Sequence, residues 1–403
     1  MLHNAERAQA VMDRLGLDAL IGTTWPHIFY MTGFEPAMET LKSDAKAHQM
    51  YSIITRDEPD KASLIVPTID AFALASLPIT KDLEVYTYGE YFVRVPTEAS
   101  LGTLEKTAIS YCKVIQEYTQ GKHFNSIHAL TAALRDKTLL GKKIGVDEMG
   151  LPPEQMDKLK NLGKIKRGYD ALTEVRMVKT NEEIHRIETS TKITEVAYRD
   201  TLKSIEIGIT EQEIADIYNN RIRDLGGKPA LWLVGSGPEG ALTDRAPSPR
   251  KLASGDLLLF DIGCKYLGYY SDTARSINIG PATTQKQAAY KACLAAEEAA
   301  IDLISPGTTP TEIFEAAVTA ARSSGLPHYN RHHVGHGLGV YPYDPPSIRL
   351  GVNTPLEEGM IINIETPYYE MGLGGIQIED TLQVTSSGKR YLTTLGKSLL
   401  ELG

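Results

Sequence analysis

The chain has 403 residues, a formal net charge of −9 at pH 7, and a composition that is 42% hydrophobic and 23% charged. That length predicts two domains, or one large domain with an appendage, and the composition excludes a disordered, fibrous or disulfide-scaffold protein. An acidic chain offers no basic face to nucleic acid or to an anionic membrane, so we expect neither as the main partner. No apolar run approaches the ~20 residues that span a bilayer. The first twenty residues contain charges at intervals rather than a signal peptide, and the three cysteines are widely spaced. We therefore expect a reduced, cytoplasmic protein.

The N-terminal part of the chain alternates between helix and strand patterns. Residues 4–16 have the apolar spacing of an amphipathic helix, and a helix rich in threonine and lysine is predicted over residues 100–120. Short apolar runs predict strands at Asp18–Ile21, Ser52–Thr55 and Ser63–Val66. This alternation predicts a small α/β domain over residues 1–165.

The second part of the chain opens its helices with capping boxes, in which a threonine and a glutamate three residues later satisfy the first backbone N–H groups. These signals begin at Thr180, Thr210 and Thr309, and a further helix is predicted over Thr284–Ile304. Apolar strands with glycine-containing turns separate the helices. The pattern predicts an α+β domain over residues 166–403, with two helix pairs on one face of an antiparallel sheet.

The segment Gly235–Gly240 matches the dinucleotide fingerprint GxGxxG, which works only where the glycines lead directly into a helix. Pro238 lies inside the pattern, and Pro247 and Pro249 follow without helical periodicity. We interpret the segment as a glycine-rich loop and predict no nucleotide site.

Two predicted hairpins each carry a pair of acids at the ends of apolar strands. Asp261 and Asp272 are symmetric about the Tyr266–Leu267 bond, so a turn there would place them directly opposite each other. Glu365 and Glu379 are symmetric about Gly372 in the same way. One such pair could simply end its strands at a wet sheet edge, but two pairs in apolar surroundings predict a compensating cation.

A glycine-rich stretch supplies a histidine to this acid-rich sheet. His332 and His336 lie four residues apart in the run His332–Gly339. One imidazole with four carboxylates suits Mn, Co, Fe or Zn in a paired site better than structural zinc. Two divalent ions would balance the four negative charges, and paired ions can ionise a shared water near neutral pH.

The acids and the histidine occur in the order Asp, Asp, His, Glu, Glu within DIG, SDTAR, HHVGHGLG, NIETPYY and GGIQIEDT. This order resembles the pita-bread metallopeptidase family of prolidases, aminopeptidases P and methionine aminopeptidases. The similarity covers residues 175–395 and extends to a creatinase/prolidase-type N-terminal domain. It implies a homodimer in which that N-terminal domain borders the partner's active site.

The resemblance also implies a ligand set for two divalent ions: Asp261, Asp272, His336, Glu365 and Glu379. Asp272 and Glu379 would hold both ions, whereas His336 and Glu365 would each bind one. Glu365 would also accept the proton of the attacking water, and His332 is a further catalytic candidate.

Three positions depart from the family pattern on the substrate side. Asp244 and Tyr343 stand where family members have histidines that contact substrate or stabilise the tetrahedral intermediate, and Gln377 stands where prolidases usually have arginine. Tyr343 can still donate a hydrogen bond to an oxyanion, whereas Asp244 would attract a cationic group. We predict that Asp244 and Tyr343 act in catalysis, and that both contact substrate together with Gln377.

Three functions remain open on these residues. The first is hydrolysis of a C–N bond by a metal-bound hydroxide, in an Xaa-Pro dipeptide or in a small amide or cyclic amidine related to compatible solutes. The second is a lyase that uses the same fold on an osmolyte. The third is a non-catalytic binding module, which the complete ligand set disfavours.

Overall fold

A computed structural model describes residues 2–36, 49–77, 83–243 and 245–403. The chain divides into two compact units, Met1–Arg176 and Met177–Gly403. The predicted domain ranges, 1–165 and 166–403, place the boundary eleven residues earlier and stay a prediction.

The first unit is built on a mixed sheet with strand order β4-β3-β2-β1-β7-β8 among the described residues. Strands β1, β2 and β3 pair antiparallel, whereas β3–β4, β1–β7 and β7–β8 are parallel. Its elements are α1 (Ala5–Leu15), β1 (Ala19–Gly22), α2 (Trp25–Thr32), β2 (Tyr51–Thr55), β3 (Ala62–Pro67), α3 (Thr68–Leu74), β4 (Glu84–Tyr88), α4 (Thr103–Ser110), β5 (Lys113–Ile115), β6 (Tyr118–Gln120), α5 (Ser126–Asp136), β7 (Lys143–Val146), α6 (Pro153–Lys160), β8 (Lys164–Arg167) and α7 (Tyr169–Met177).

Local sequence accounts for the ends of most of these elements. Helix α1 begins where the Asn4 side chain accepts from the Arg7 N–H, and it ends at Gly16 with φ +63°. The predicted helix over 100–120 is too long, because α4 ends at Ser110 and the chain then forms the β5–β6 hairpin. The valine, isoleucine and tyrosine of that hairpin favour strand over helix.

The second unit contains an antiparallel path of strands in the order β11-β10-β12-β17-β14-β13 among the described residues. At its sides β9 pairs with β10, β18 with β17, and β19 with β12, the last in parallel. Its elements are α8 (Asn181–Leu202), α9 (Glu211–Asp224), β9 (Lys228–Ser236), β10 (Leu257–Tyr266), β11 (Tyr269–Tyr270), β12 (Thr273–Ile279), α10 (Thr284–Asp302), α11 (Pro310–Ser323), β13 (Gly335–Gly337), β14 (Ile361–Glu365), β15 (Tyr368–Glu370), β16 (Gly374–Ile376), β17 (Ile378–Thr385), β18 (Gly388–Tyr391) and β19 (Leu400–Leu402).

The helices of this unit pack in two pairs, α8 with α9 and α10 with α11. The first pair shares a buried apolar core with β10 and β12, and the second shares one with β14 and β17. The capping boxes at Thr180, Thr210 and Thr309 are all formed, as the sequence predicts. The GxGxxG segment ends β9 and turns through a short 3₁₀ helix, Gly237–Ala241, so the prediction of a loop is confirmed.

The hairpin that carries the two glutamates has the predicted register. Glu365 on β14 lies directly opposite Glu379 on β17. The loop between them folds back as the β15–β16 ladder, in which Tyr368 pairs with Ile376. Both ladders are therefore symmetric about Gly372.

The predicted register of the other hairpin is wrong by two residues. The turn is Leu267–Gly268, where both residues have positive φ, and Asp261 consequently lies opposite Ala274 rather than Asp272. Because the shift is an even number of residues, both aspartates still project from the same face of the sheet. They are diagonal neighbours instead of a directly opposed pair.

Candidate metal centre

The acids and the histidine come from adjacent strands of the second unit's sheet. Asp261 lies on β10, Glu379 on β17, Glu365 at the end of β14, and His336 on β13, while Asp272 lies between β11 and β12. All five side chains are buried. The strand order therefore gathers residues that are up to 118 positions apart in the sequence.

Two glycines allow β13 to bring His336 close to its neighbours. Gly335 has φ +150°, and a Cβ at this position would lie 2.1 Å from the Asn363 carbonyl oxygen. A Cβ on Gly337 would lie 2.3 Å from the Pro345 oxygen. Any other residue at either position would push the strand away from β14 or from the loop beyond it.

Three side chains form the centre of the cluster. Asp272, His336 and Glu379 each offer a ligand atom within 4.8 Å of the other two. His336 Nε2 lies 3.8 Å from Asp272 Oδ2 and 4.0 Å from Glu365 Oε1. Asp261 is part of the same cluster of charges, because its negative charge contributes to the raised pKa of both Asp272 and Glu379.

The carboxyl groups are held in an environment that disfavours their ionised form. Burial, followed by the charges of the neighbouring carboxylates, raises the pKa of Asp272 and of Glu379 well above the ordinary range. Burial lowers the pKa of His336 to about 4, so its imidazole is neutral at pH 7. Its Nδ1 hydrogen-bonds the Gly337 carbonyl at 2.9 Å, which leaves the Nε2 lone pair directed toward the acids.

This arrangement fits a metal site. Within the part of the chain that the structure describes, His336 Nε2 and Asp272 Oδ1 are buried and have no hydrogen-bond partner. Glu379, in contrast, is oriented by two amides: Asn363 Nδ2 donates to one oxygen at 2.9 Å and Gln377 Nε2 to the other at 3.1 Å. Buried like charges beside a neutral imidazole are costly without a cation, and oxygen-rich sets of this kind bind divalent metals.

A cavity of about 440 Å³ opens beside the cluster. Asp261, Glu365 and Gln377 contribute to its wall, so the cluster and the cavity form one site. Apolar side chains from β9 and β10 line much of the remainder. Its volume lies in the range typical of small-molecule sites.

Tyr343 also lines this cavity, and its ring packs on that of His336 with a centroid distance of 4.3 Å. Burial and then the nearby carboxylates raise the pKa of its hydroxyl, so the phenol stays protonated and can donate.

His332 reaches the cavity as an exposed side chain. It packs edge-on against His333 at 4.3 Å. His333 contacts an acid, with its Nδ1 lying 3.2 Å from Glu365 Oε1. Sequence reasoning missed His333 because neighbouring histidines give no signal as to which one points inward.

The substrate-side predictions have different outcomes. Gln377 lines the cavity, but both ends of its amide are engaged, since it donates to Glu379 and accepts from the Tyr369 hydroxyl at 3.1 Å. Asp244 lies outside the described residues. Arg331 and Arg245 line the cavity as well, and the sequence analysis singled out neither of them.

The fold and the site define a class of protein. Two helix pairs pack on an antiparallel sheet whose strands carry a buried cluster of acids and one histidine, which is the pita-bread architecture of metallopeptidases. Residues 185–386 match the model of metallopeptidase family M24, and residues 5–178 match the creatinase/prolidase N-terminal domain. The chain belongs to metallopeptidase family M24.

Individual relatives agree with this assignment. The chain is 32% identical to an Xaa-Pro dipeptidase of Pyrococcus furiosus over 249 residues, which is 61% of this chain and 72% of the relative. The solved prolidase from Pyrococcus furiosus superposes with a TM-score of 0.73 at 25% identity, covering 96% of this chain and 99% of that one. An X-Pro aminopeptidase from Thermotoga maritima MSB8 has the same fold, with a TM-score of 0.77 at 22% identity and 99% coverage of both chains.

The chain is therefore a metal-dependent peptide hydrolase that uses divalent metal ions. Among the described residues, no helix has both the length and the apolar character needed to cross a membrane.

Proposed function

We propose that this protein is a two-metal dipeptidase that cleaves the bond before proline in Xaa-Pro dipeptides. The observation that carries the proposal is the buried cluster of Asp272, His336 and Glu379 next to a cavity that Asp261 and Glu365 line. The names of the relatives supply the substrate class.

The five predicted ligands would hold two divalent ions, of Mn, Co, Fe or Zn. When bound, such ions polarise the scissile carbonyl and lower the pKa of the attacking water. The four negative charges of the carboxylates would balance the four positive charges of two divalent ions. His336 fits as a neutral ligand, because its Nδ1–H is engaged by a backbone carbonyl.

Protein groups around the ions would move the protons. Glu365 would accept the proton of the attacking water and pass it to the leaving nitrogen, since a carboxylate at the cavity wall can reach both. Tyr343 would donate its hydroxyl proton in a hydrogen bond to the developing oxyanion. His332 and His333 both line the cavity, where they would orient Glu365 or the substrate.

Two further properties belong to this proposal. A homodimer rests on the family resemblance. Light scattering at micromolar concentration tests it, and a fully active monomer would contradict it.

A cytoplasmic location is supported by the three cysteines, which are all buried and unpaired, as expected in a reducing compartment.

An activity screen tests the function. Protein reconstituted with each metal is incubated with Xaa-Pro dipeptides, matched Xaa-Ala dipeptides, small cationic amides and osmolytes, and the released amines are quantified. We expect proline release from the dipeptides and its loss in Asp272→Ala, which should also retain less metal by elemental analysis. Turnover of the cationic amides or osmolytes alone would contradict the proposal, and so would undiminished metal content in the variant.

A further inference from the structure

Two guanidinium groups line the cavity, and one of them is already neutralised. Arg245 Nη2 lies 3.1 Å and 3.0 Å from the two carboxylate oxygens of Glu211, and 3.7 Å from Glu239. Glu211 is fully buried and also accepts hydrogen bonds from Ser236 and Ser248. The charge of Arg245 is therefore balanced by carboxylates of the protein itself.

Arg331 has no comparable partner among the described residues. Its side chain is only 14% exposed, and the nearest carboxylate oxygen, Glu365 Oε2, is 3.9 Å from its Nη2. That separation exceeds the range of a hydrogen bond, so the contact does not consume the N–H donors. In the described part of the chain its Nε is buried without a hydrogen-bond acceptor, as is the Nε of Arg245, so the two arginines differ in whether a carboxylate lies within hydrogen-bond range of their Nη atoms. A guanidinium in this state is a ready partner for a planar anion.

Tyr369 contacts both Arg331 and Gln377. The Arg331 guanidinium lies over the Tyr369 ring, 5.6 Å from its centroid, and the hydroxyl of the same tyrosine donates to Gln377. The amide of Gln377 is 2% exposed and orients Glu379. Gln377 thus orients a proposed metal ligand, while Arg331 lies over the ring of the tyrosine whose hydroxyl holds Gln377.

We infer that Arg331 binds the free C-terminal carboxylate of the dipeptide. This inference rests on the proposed function. The planar guanidinium of Arg331 pairs with the two carboxylate oxygens. This contact restricts the enzyme to substrates that are two residues long, because only their second residue carries the C-terminal carboxylate. Arg331 is thus a specificity-determining residue.

Comparison of a dipeptide with its amide tests the inference. Ala-Pro and Ala-Pro amide differ only in the charge that Arg331 would bind. We expect the wild type to prefer Ala-Pro by about ten- to a hundredfold in kcat/KM, the usual effect of one hydrogen-bonded charge. Arg331→Met should raise KM for Ala-Pro by a similar factor with little change in kcat, and leave the amide unaffected. Arg331→Lys, which keeps the charge and loses the fork, should fall between the two.

Arg223→Met is the matched control, because Arg223 is an exposed helix arginine that does not line the cavity. Circular dichroism and metal content establish that each variant is folded and loaded. Calorimetric binding of proline, which needs no turnover, should weaken in Arg331→Met and not in Arg223→Met.

The outcomes separate this inference from the proposed function. A wild type that cleaves none of the dipeptides overturns both. A wild type that cleaves Ala-Pro and its amide equally well overturns the role of Arg331 alone. A fall in kcat for both substrates would overturn it too, since that pattern indicates a contact with the oxyanion rather than with the carboxylate.

Discussion

At the scale of single residues, neighbouring groups fix the orientation and protonation of the side chains at the site. The Gly337 carbonyl selects the tautomer of His336, and the Asn363 amide holds one oxygen of Glu379. Tyr343 packs against His336 and keeps its proton because burial, and then the charges of the nearby carboxylates, raise the pKa of its hydroxyl. Burial and backbone contacts thus prepare the site before any substrate enters.

The hydroxyl of Tyr343 yields the sharpest prediction at this scale. Tyr343→Phe keeps the ring on His336 and removes only the donor, so turnover should fall about a hundredfold or more at equal metal content. Steady-state kinetics on the best dipeptide measures this. Tyr341→Phe is the control, since Tyr341 is also about half exposed but does not line the cavity. An unchanged turnover number in Tyr343→Phe would show that Tyr343 only packs against its neighbours and donates no hydrogen bond in catalysis.

At the scale of elements, the turn between β10 and β11 is strained by its first residue. Leu267 has φ +44° and is followed by Gly268 with φ +90°, a pair of conformations that favours Asn-Gly. Leu267→Asn should therefore raise the free energy of unfolding by about 1 kcal/mol, measured by denaturant titration. Leu350→Asn is the control, because Leu350 is similarly exposed at 62% and has no positive φ. An equal gain in both variants would show that lost surface hydrophobicity, rather than the turn, is responsible.

The capping box of α8 predicts a pH dependence. Burial raises the pKa of Glu183 to about 7, so the folded state holds a proton that the unfolded state, with a pKa of about 4.3, releases. Stability from this group is therefore present at low pH and declines as the pH rises toward 7. Glu183→Gln keeps the cap and removes the titration, so its stability relative to wild type should improve with pH, by about 3 kcal/mol at most.

Denaturant titrations at pH 5 and pH 8 measure this difference. Glu213→Gln is the matched control, since Glu213 occupies the same capping position in α9, where the Thr210 N–H lowers its pKa. Its difference from wild type should be the same at both pH values. A flat profile for Glu183→Gln would contradict the raised pKa of Glu183.

At the scale of the whole molecule, the proposed ligands all belong to the unit Met177–Gly403. The two tryptophans report on the two units separately, because Trp25 lies in α2 and Trp232 in β9. Metal that binds only the folded state stabilises it by about 4 kcal/mol at a thousand times its dissociation constant. Removal of metal by a chelator should therefore lower the denaturant midpoint that Trp232 reports more than the one that Trp25 reports.

Single-tryptophan variants make this measurement direct. Trp25→Phe leaves the reporter of the second unit, and Trp232→Phe leaves that of the first. A midpoint shift seen only with Trp25 would contradict the assignment of the ligands. Calcium added in place of the transition metals controls for nonspecific ionic effects.

The sequence by itself determined the features that depend on local chemistry. Capping boxes mark their helices because the threonine and glutamate bond to backbone groups within the same turn. The register of the Glu365–Glu379 hairpin was predictable because the chain reverses about Gly372, in a glycine-rich stretch that the sequence shows, and the β14–β17 and β15–β16 ladders are both symmetric about that residue. The rejection of the nucleotide motif also rested on local sequence: the segment forms only the short 3₁₀ helix Gly237–Ala241, and the prolines that follow it show no helical periodicity.

Features that depend on the exact strand register or on contacts between distant segments required the tertiary structure. The Leu267–Gly268 turn moved Asp261 from its predicted partner, although a glycine in the second turn position was a signal for it. No pattern distinguished His333 from His332, because which ring faces Glu365 depends on the conformation of the segment that leads into β13. The position of Arg331 at the cavity also depends on the tertiary structure. Arg331 belongs to no sequence motif, and the tertiary structure shows that it packs over Tyr369 at the wall of the cavity.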